Sequence, residues 1–170
     1  MAESGTSILI GGEAGQGLAT IGRLMVMALA RTGYDVHVTQ SYMSRIRGGH
    51  NTFAIRTGPG AAMAPTEQVD ILVALNRETL DLHIPELGPR GLVVVDESLA
   101  VDLAESLAEV RAEVLGAPFG ALAPKPVLAN VAALGVLGSA VCGDLTVLEG
   151  LVSEAFARKG PEVVGENLAV

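Results

Sequence analysis

The stretch SILIGGEAGQGLA, residues 7–19, limits the fold more than any other part of the chain. Residues 7–10 are a short apolar run ended by glycine, the pattern of a strand covered on both faces. The next stretch, residues 11–19, reads as a loop rich in Gly11, Gly12, Gly15 and Gly17. Leu18, Ile21, Met25 and Ala28, with Leu24 and Leu29 beside them, then recur at helical spacing as far as Arg31, and Gly33 stands where helices commonly close. Residues 35–39, DVHVT, alternate as a second strand. A strand, a glycine loop, a helix and a strand in that order open an α/β domain.

The rest of the chain continues the pattern. Residues 52–57 alternate, with Phe53 and Ile55 on one face and Arg56 on the other. A Gly/Ala/Pro loop is expected at 58–65, buried strands at 71–75 and 92–95, a helix from Arg77 as far as Pro85, and a weak strand at 110–115. A turn at Pro118, Pro124 and Pro126 leads to helices near 127–141, 146–157 and 161–168, with Pro161 suited to a first turn. With 170 residues, 49% hydrophobic but only 3% aromatic, the chain has the length of one domain with an aliphatic core. The domain is taken as residues 1–170. Its last helical pattern carries no capping residue before Val170, so it is expected to continue into a longer polypeptide.

Charge and cysteine content narrow the function. A net charge of −8 argues against nucleic acid or an anionic membrane as partner. No apolar run reaches the ~18 residues of a membrane span, and no signal-peptide pattern follows Met1. Cys142 is the one cysteine, so the chain cannot ligate an iron–sulfur cluster or a zinc ribbon, and a cytoplasmic setting is expected. In its Ala-Val-Cys-Gly context Cys142 reads as a small core residue. His37 and His83 have no ligand partners at metal spacing and read as structural, and Asp96 reads as the cap of a following helix. No metal site and no catalytic side chain is assigned.

The glycine loop fails two tests. Gly12 and Gly17 have Walker A spacing, but Leu18 and Ala19 stand where that motif needs Lys and a hydroxyl. A dinucleotide fingerprint built on Gly15 and Gly17 would need a third small residue at Thr20, and Asp35 is the one acid that could reach a ribose. What remains is a turn presenting backbone N–H groups at a helix N-terminus, suited to an anion, or glycines that merely let the helix approach the strand. A second constellation bears on the choice: Ser44-Arg45-Ile-Arg47-Gly48-Gly49-His50-Asn51 follows the second strand, and no carboxylate occurs between Asp35 and Glu67. Guanidinium groups beside paired glycines suit phosphate or carboxylate, or acids on another chain.

Together the two loops resemble the γ component of the 2-oxoacid:ferredoxin (2-oxoacid:acceptor) oxidoreductases. The likeness rests on Gly12-x-x-Gly15-Gln16-Gly17, on Ser44-x-x-Arg47-Gly48-Gly49-His50-Asn51, on the strand from Phe53 to Arg56, on Asp70-x-Leu72-Val73-Ala74 and on Asn167, and so spans almost the whole chain. Glu13-Ala14 departs from it, since many members carry a further small residue there. The resemblance implies a single Rossmann-like three-layer domain with a mostly parallel sheet, either a separate subunit or the N-terminal domain of a fused α chain of the 2-oxoglutarate type. It implies α and β partner components that carry thiamine diphosphate and iron–sulfur clusters, ferredoxin as acceptor through the complex, and coenzyme A as ligand. Gly12, Gly15, Gln16, Gly17, Ser44, Arg45, Arg47, Gly48 and Gly49 would then be cofactor-binding positions, with backbone donors from Gly15, Gln16 and Gly17 and charge from Arg45 and Arg47. The RGG loop could instead hold the α–γ interface. A free-standing NAD-type protein and a pure assembly module are the alternatives.

Overall fold

A computed structural model describes residues 5–42, 49–58, 67–101, 103, 107, 111–123, 125 and 128–170. Its strands are β1 (Thr6–Glu13), β2 (Asp35–Tyr42), β3 (His50–Gly58), β4 (Val69–Ala74), β5 (Leu87–Asp96) and β6 (Glu113–Ala117). The helices are α1 (Leu18–Arg31), α2 (Arg77–His83), α3 (Glu97–Ala100), α4 (Phe119–Leu122), α5 (Ala129–Cys142), α6 (Thr146–Phe156) and α7 (Pro161–Leu168), with 3₁₀ turns at Ile84–Glu86 and Ala157–Lys159.

The six strands form one sheet in the order β2-β3-β1-β4-β5-β6. β1, β4, β5 and β6 are mutually parallel neighbours, whereas β3 lies antiparallel to both β1 and β2. The sheet is therefore mostly parallel, as the family resemblance implies. The first strand–helix–strand unit does not place its two strands side by side: β3 is inserted between them. Two reversals restore direction, so β2 still ends at the same sheet edge as β1, beside the start of β3, where Glu13 opposes His50 and Tyr42 opposes Asn51.

Strand alternation builds two cores. Ile8, Ile10, Val73 and Val94, with Phe53 and Ile55, point to the layer of α1, α5 and α6. Leu9, Leu72, Ala74, Val93 and Val95 point the other way, to Leu80 of α2 and to Ile84, Leu103 and Leu107. Two covered faces explain why these strands read as unbroken apolar runs, and they make the three layers. Close approach on the first side depends on Gly22, because a Cβ there would lie 2.5 Å from the Phe53 ring.

The span of α1 matches the sequence expectation at both ends. β1 runs three residues further than expected, so Gly11 and Gly12 are strand and the loop shrinks to residues 14–17. α3 and α4 had no signal beyond the cap at Asp96; α4 falls in the turn expected at Pro118. Asp96 accepts from the Ser98 amide at 3.0 Å, which bears out its reading as a cap. Cys142 is half-buried against the first core, and burial pushes its thiol up, consistent with a core residue. The loop expected at 58–65 and the residues Ser44, Arg45, Arg47 and Gly48 lie, but for Gly58, outside the described residues.

Candidate functional site

The chain turns from β1 into α1 through Gly15 (φ 97°) and Gly17 (φ 79°), both in the left-handed region that favours glycine. Gly17 is the N-cap of α1, which has no side-chain cap and no acid in its first turn. Its place is tight as well as left-handed: a Cβ would fall 2.0 Å from Nδ2 of Asn130, the amide of α5 that donates to the Gln16 carbonyl at 3.1 Å. A tie from a residue 114 positions away thus fixes the loop.

The sequence-predicted donors do not all face outward. The Gln16 amide donates to the Glu13 carbonyl at 3.1 Å, and the Gln16 side chain folds back so that its Oε1 accepts from the Glu13 amide at 2.6 Å. Gly12 lies buried beneath that side chain, where a Cβ would come within 2.6 Å of the same oxygen. Gln16 and Gly12 therefore shape the loop from inside. The amides of Gly15, Gly17, Leu18 and Ala19 have no acceptor among the described residues, whereas the Thr20 amide donates to the Gly17 carbonyl at 2.9 Å.

Of the second loop, Gly49 is described, and it joins the first: its carbonyl accepts the Ala14 amide at 3.2 Å. Ala14 of the glycine loop and Gly49 of the second segment therefore meet at the carboxyl edge of the sheet. Asp35, the acid considered for a ribose, is at the opposite end of β2, opposing Gly58. An eight-residue strand puts it on the order of 20 Å from the glycine loop, so it does not complete a dinucleotide site.

Two depressions flank the glycine loop. The larger, about 1310 Å³, lies over the carboxyl ends of β1, β4, β5 and β6, bordered by Gly15, Asn76, Asp96 and Phe119, with Asn130 at its floor. This is where open α/β sheets hold ligands, since the chain crosses to opposite faces on either side of β1 and β4. Its cations are engaged: Arg77 with Asp81 at 2.8 Å, Lys125 with Glu166 at 2.5 Å, and Lys159 over the Phe156 ring. The smaller, about 280 Å³, lies between the glycine loop and β2–β3, bordered by Glu13, Gly17, Tyr42 and Asn51.

One cluster escaped the sequence. His50 Nε2 lies 2.9 Å from His83 Nε2, and His83 Nδ1 lies 2.9 Å from Glu86 Oε2. His83 had been read as structural, and nothing in local spacing announces a partner 33 residues away. His50 is 4% exposed, and burial first, then His83, pushes it below the ordinary histidine value. Among the described residues no cluster of three or more His, Cys, Asp or Glu side chains is placed to hold a metal ion.

Comparisons with known proteins place this geometry. The family model described as pyruvate ferredoxin/flavodoxin oxidoreductase matches residues 7–170. A 2-oxoacid:ferredoxin oxidoreductase subunit alpha from Sulfolobus sp. is 28% identical over 110 residues, 63% of this chain and 17% of that protein. Subunit alpha of 2-oxoacid:ferredoxin oxidoreductase 2 from Aeropyrum pernix is 27% identical over 131 residues, 75% of this chain and 20% of its own length. The chain thus spans about a fifth of the length of these curated relatives.

Solved structures share the fold. The 2-oxoglutarate:ferredoxin oxidoreductase of Magnetococcus marinus, with 2-oxoglutarate, coenzyme A and succinyl-CoA bound, superposes with a TM-score of 0.88 at 23% identity, over 98% of this chain and 29% of that one. The pyruvate oxidoreductase subunit PORC of Thermotoga maritima gives 0.78 at 22% identity, over 98% and 93%. The γ subunit of a keto/oxoacid ferredoxin oxidoreductase from Geobacter sulfurreducens gives 0.72 at 25% identity, over 96% of each chain. Within the described residues, no helix is long and apolar enough to cross a membrane.

Proposed function

The chain belongs to the pyruvate ferredoxin/flavodoxin oxidoreductase family, and we propose that it is the γ-type component of a 2-oxoacid:ferredoxin oxidoreductase. In this reading the assembled enzyme converts a 2-oxoacid, such as 2-oxoglutarate, pyruvate or indolepyruvate, to an acyl-CoA and passes the electrons to ferredoxin. The γ-type domain helps to bind coenzyme A and to complete the active site on its partners. The carrying observation is the bond from the Ala14 amide to the Gly49 carbonyl, which draws the glycine loop and the last glycine of the RGG motif to one sheet edge. The oxidoreductase of Magnetococcus marinus, whose structure holds coenzyme A, shares this fold over 98% of the chain.

The residues fit an anionic ligand such as the phosphates of coenzyme A. The uncapped start of α1 and the amides of Gly15 and Gly17 supply oriented donors, and Arg45 and Arg47, in a sequence window without acids, would supply charge. Thiamine diphosphate and iron–sulfur clusters belong on the α and β partner chains: a single Cys142 is too small a thiolate set for a cluster. When bound there, those groups supply the decarboxylation and electron transfer. What this chain contributes is binding and orientation at the loop pair. Because relatives named subunit alpha match over about a fifth of their length, a γ-type domain joined to an α chain is part of the proposal.

The test is Arg47→Ala in the assembled enzyme. A raised KM for coenzyme A with assembly intact supports ligand contact. An unchanged KM with loss of assembly would assign the RGG loop to the α–γ interface instead.

A further inference from the structure

Residues Glu86, His83 and His50 form a chain from solvent into the protein. Glu86 is half-exposed, the His83 side chain is 14% exposed, and His50 is 4% exposed. An ionised carboxylate only accepts, so His83 Nδ1 carries the proton toward Glu86 and its Nε2 is a bare lone pair. His50 must then donate from Nε2, which leaves His50 Nδ1 unprotonated, and that atom is buried with no partner among the described residues. Two contacts therefore fix one tautomer of His50.

An added proton finds one free lone pair in the pair, that of His50 Nδ1. His50 then becomes the cation, while its Nε2 still donates to His83. That puts an N–H where no acceptor stands among the described residues. Such an orphaned buried donor is costly. Among the described residues the groups facing the pair are Glu13, cross-strand from His50 on β1, Glu78 and His83 on α2, and Glu86 on the 3₁₀ turn. Glu78 and Glu86 favour the charged form, while burial and His83 outweigh them.

The position of His50 gives the chain its consequence. His50 opens β3 directly after Gly49, whose carbonyl holds the Ala14 amide at the start of the glycine loop. We propose that Glu86, His83 and His50 are a proton-coupled latch, in which His83 and His50 are positioning residues that keep the Gly49 carbonyl on the glycine loop and release it when the pair takes up a proton. The latch itself stands on geometry alone. Only its effect on coenzyme A rests on the oxidoreductase reading.

The experiment is a pH titration of the full chain with ¹⁵N-labelled histidine and alanine. At neutral pH His50 is expected to carry its proton on Nε2. On acidification the His50 ring signals and the Ala14 amide are expected to shift together, with one midpoint below the ordinary histidine value. Glu86→Gln, a conservative change at a half-exposed site, should move both midpoints to lower pH by removing the anion that favours the cation. A His50 proton on Nδ1 at neutral pH, or an Ala14 amide indifferent to the His50 titration, would overturn the latch. In the assembled enzyme His83→Ala should raise the KM for coenzyme A about fivefold, the equivalent of one neutral hydrogen bond, with kcat kept. A KM that stays put while Ala14 still follows His50 supports the latch and counts against the coenzyme A reading.

Discussion

Besides the short α4, whose Gly120 amide is taken by Asp96, three helices begin at the carboxyl edge of the sheet, and they begin differently. α2 starts under Asn76, whose Oδ1 accepts the Thr79 amide at 3.0 Å. α3 starts under Asp96, which accepts from the Ser98 amide at 3.0 Å and also from the Gly120 amide at 3.2 Å. Both have an acid in the first turn, Glu78 and Glu97. α1 has a left-handed glycine, no capping side chain and no first-turn acid. The protein closes two of these ends with its own oxygens and leaves the longest helix of the three open. Elementary electrostatics then assigns an incoming anion to α1, because at α2 and α3 carboxylates and an amide oxygen already occupy that role.

The sharpest way to break the contrast is at Gly17. Gly17→Ala combines a left-handed backbone with a collision against Asn130, and should cost about 3 kcal/mol of stability. Gly15→Ala, where a Cβ meets nothing within 4 Å, should cost only the backbone strain, about 1 kcal/mol. Chemical denaturation of the two variants checks the ranking. Equal losses would mean that the Asn130 tie does not hold the loop.

Removing the closed caps should produce intermediate effects. Asn76→Ala and Asp96→Ala should each cost about 1 kcal/mol by the same measurement. Asp96 also carries a pH signature. Burial pushes its carboxyl up, but hydrogen bonds from the Ser98 hydroxyl and amide and from the Gly120 and Phe119 amides outweigh that and hold it below the usual carboxylate range. Its contribution is therefore complete above its unfolded value of about 3.9 and is lost as pH falls below it. His50, also depressed in the fold, acts earlier. Its contribution is complete above about pH 6.5 and declines as pH falls from there. Stability measured against pH should thus fall in two stages. Asp96→Asn should shrink the lower stage, to which Asp144 and Glu154, also held below the usual carboxylate range, contribute as well, and leave the upper one.

The smallest expected change runs in the other direction. Thr20, exposed on the first turn of α1, can be replaced by Glu to close the open end. Thr20→Glu should stabilise the chain by about 0.5 kcal/mol through the helix dipole, seen as a small rise in Tm.

What sequence could and could not give follows the range of the forces involved. α1 was legible from residue 18 to 31 because its apolar spacing and Gly33 are local signals. β4 and β5 were legible because both of their faces are buried, which writes continuous apolar runs into the chain. The placement of β3 between β1 and β2 has no local signature, since pairing partners far apart in sequence decide it. At the site, the two loops were found by composition, and their contact through Gly49 follows from β2 and β1 ending at one edge. The motif names Gln16 as a backbone donor and Gly12 as a binding position, and it does not say that the Gln16 side chain folds back onto Glu13. Asn130 and His83 reach the loops from 114 and 33 residues away, distances at which single-sequence periodicity carries no information.

The central claim is that the open end of α1 receives an anionic group of coenzyme A, and the same Thr20→Glu change tests it most directly when placed in the assembled enzyme. The KM for coenzyme A should rise about tenfold, as expected for a carboxylate competing with one phosphate at a helix terminus, while the KM for the 2-oxoacid and kcat stay close to those of the unaltered enzyme. A KM for coenzyme A that does not change, in an enzyme that assembles and turns over normally, would contradict the account.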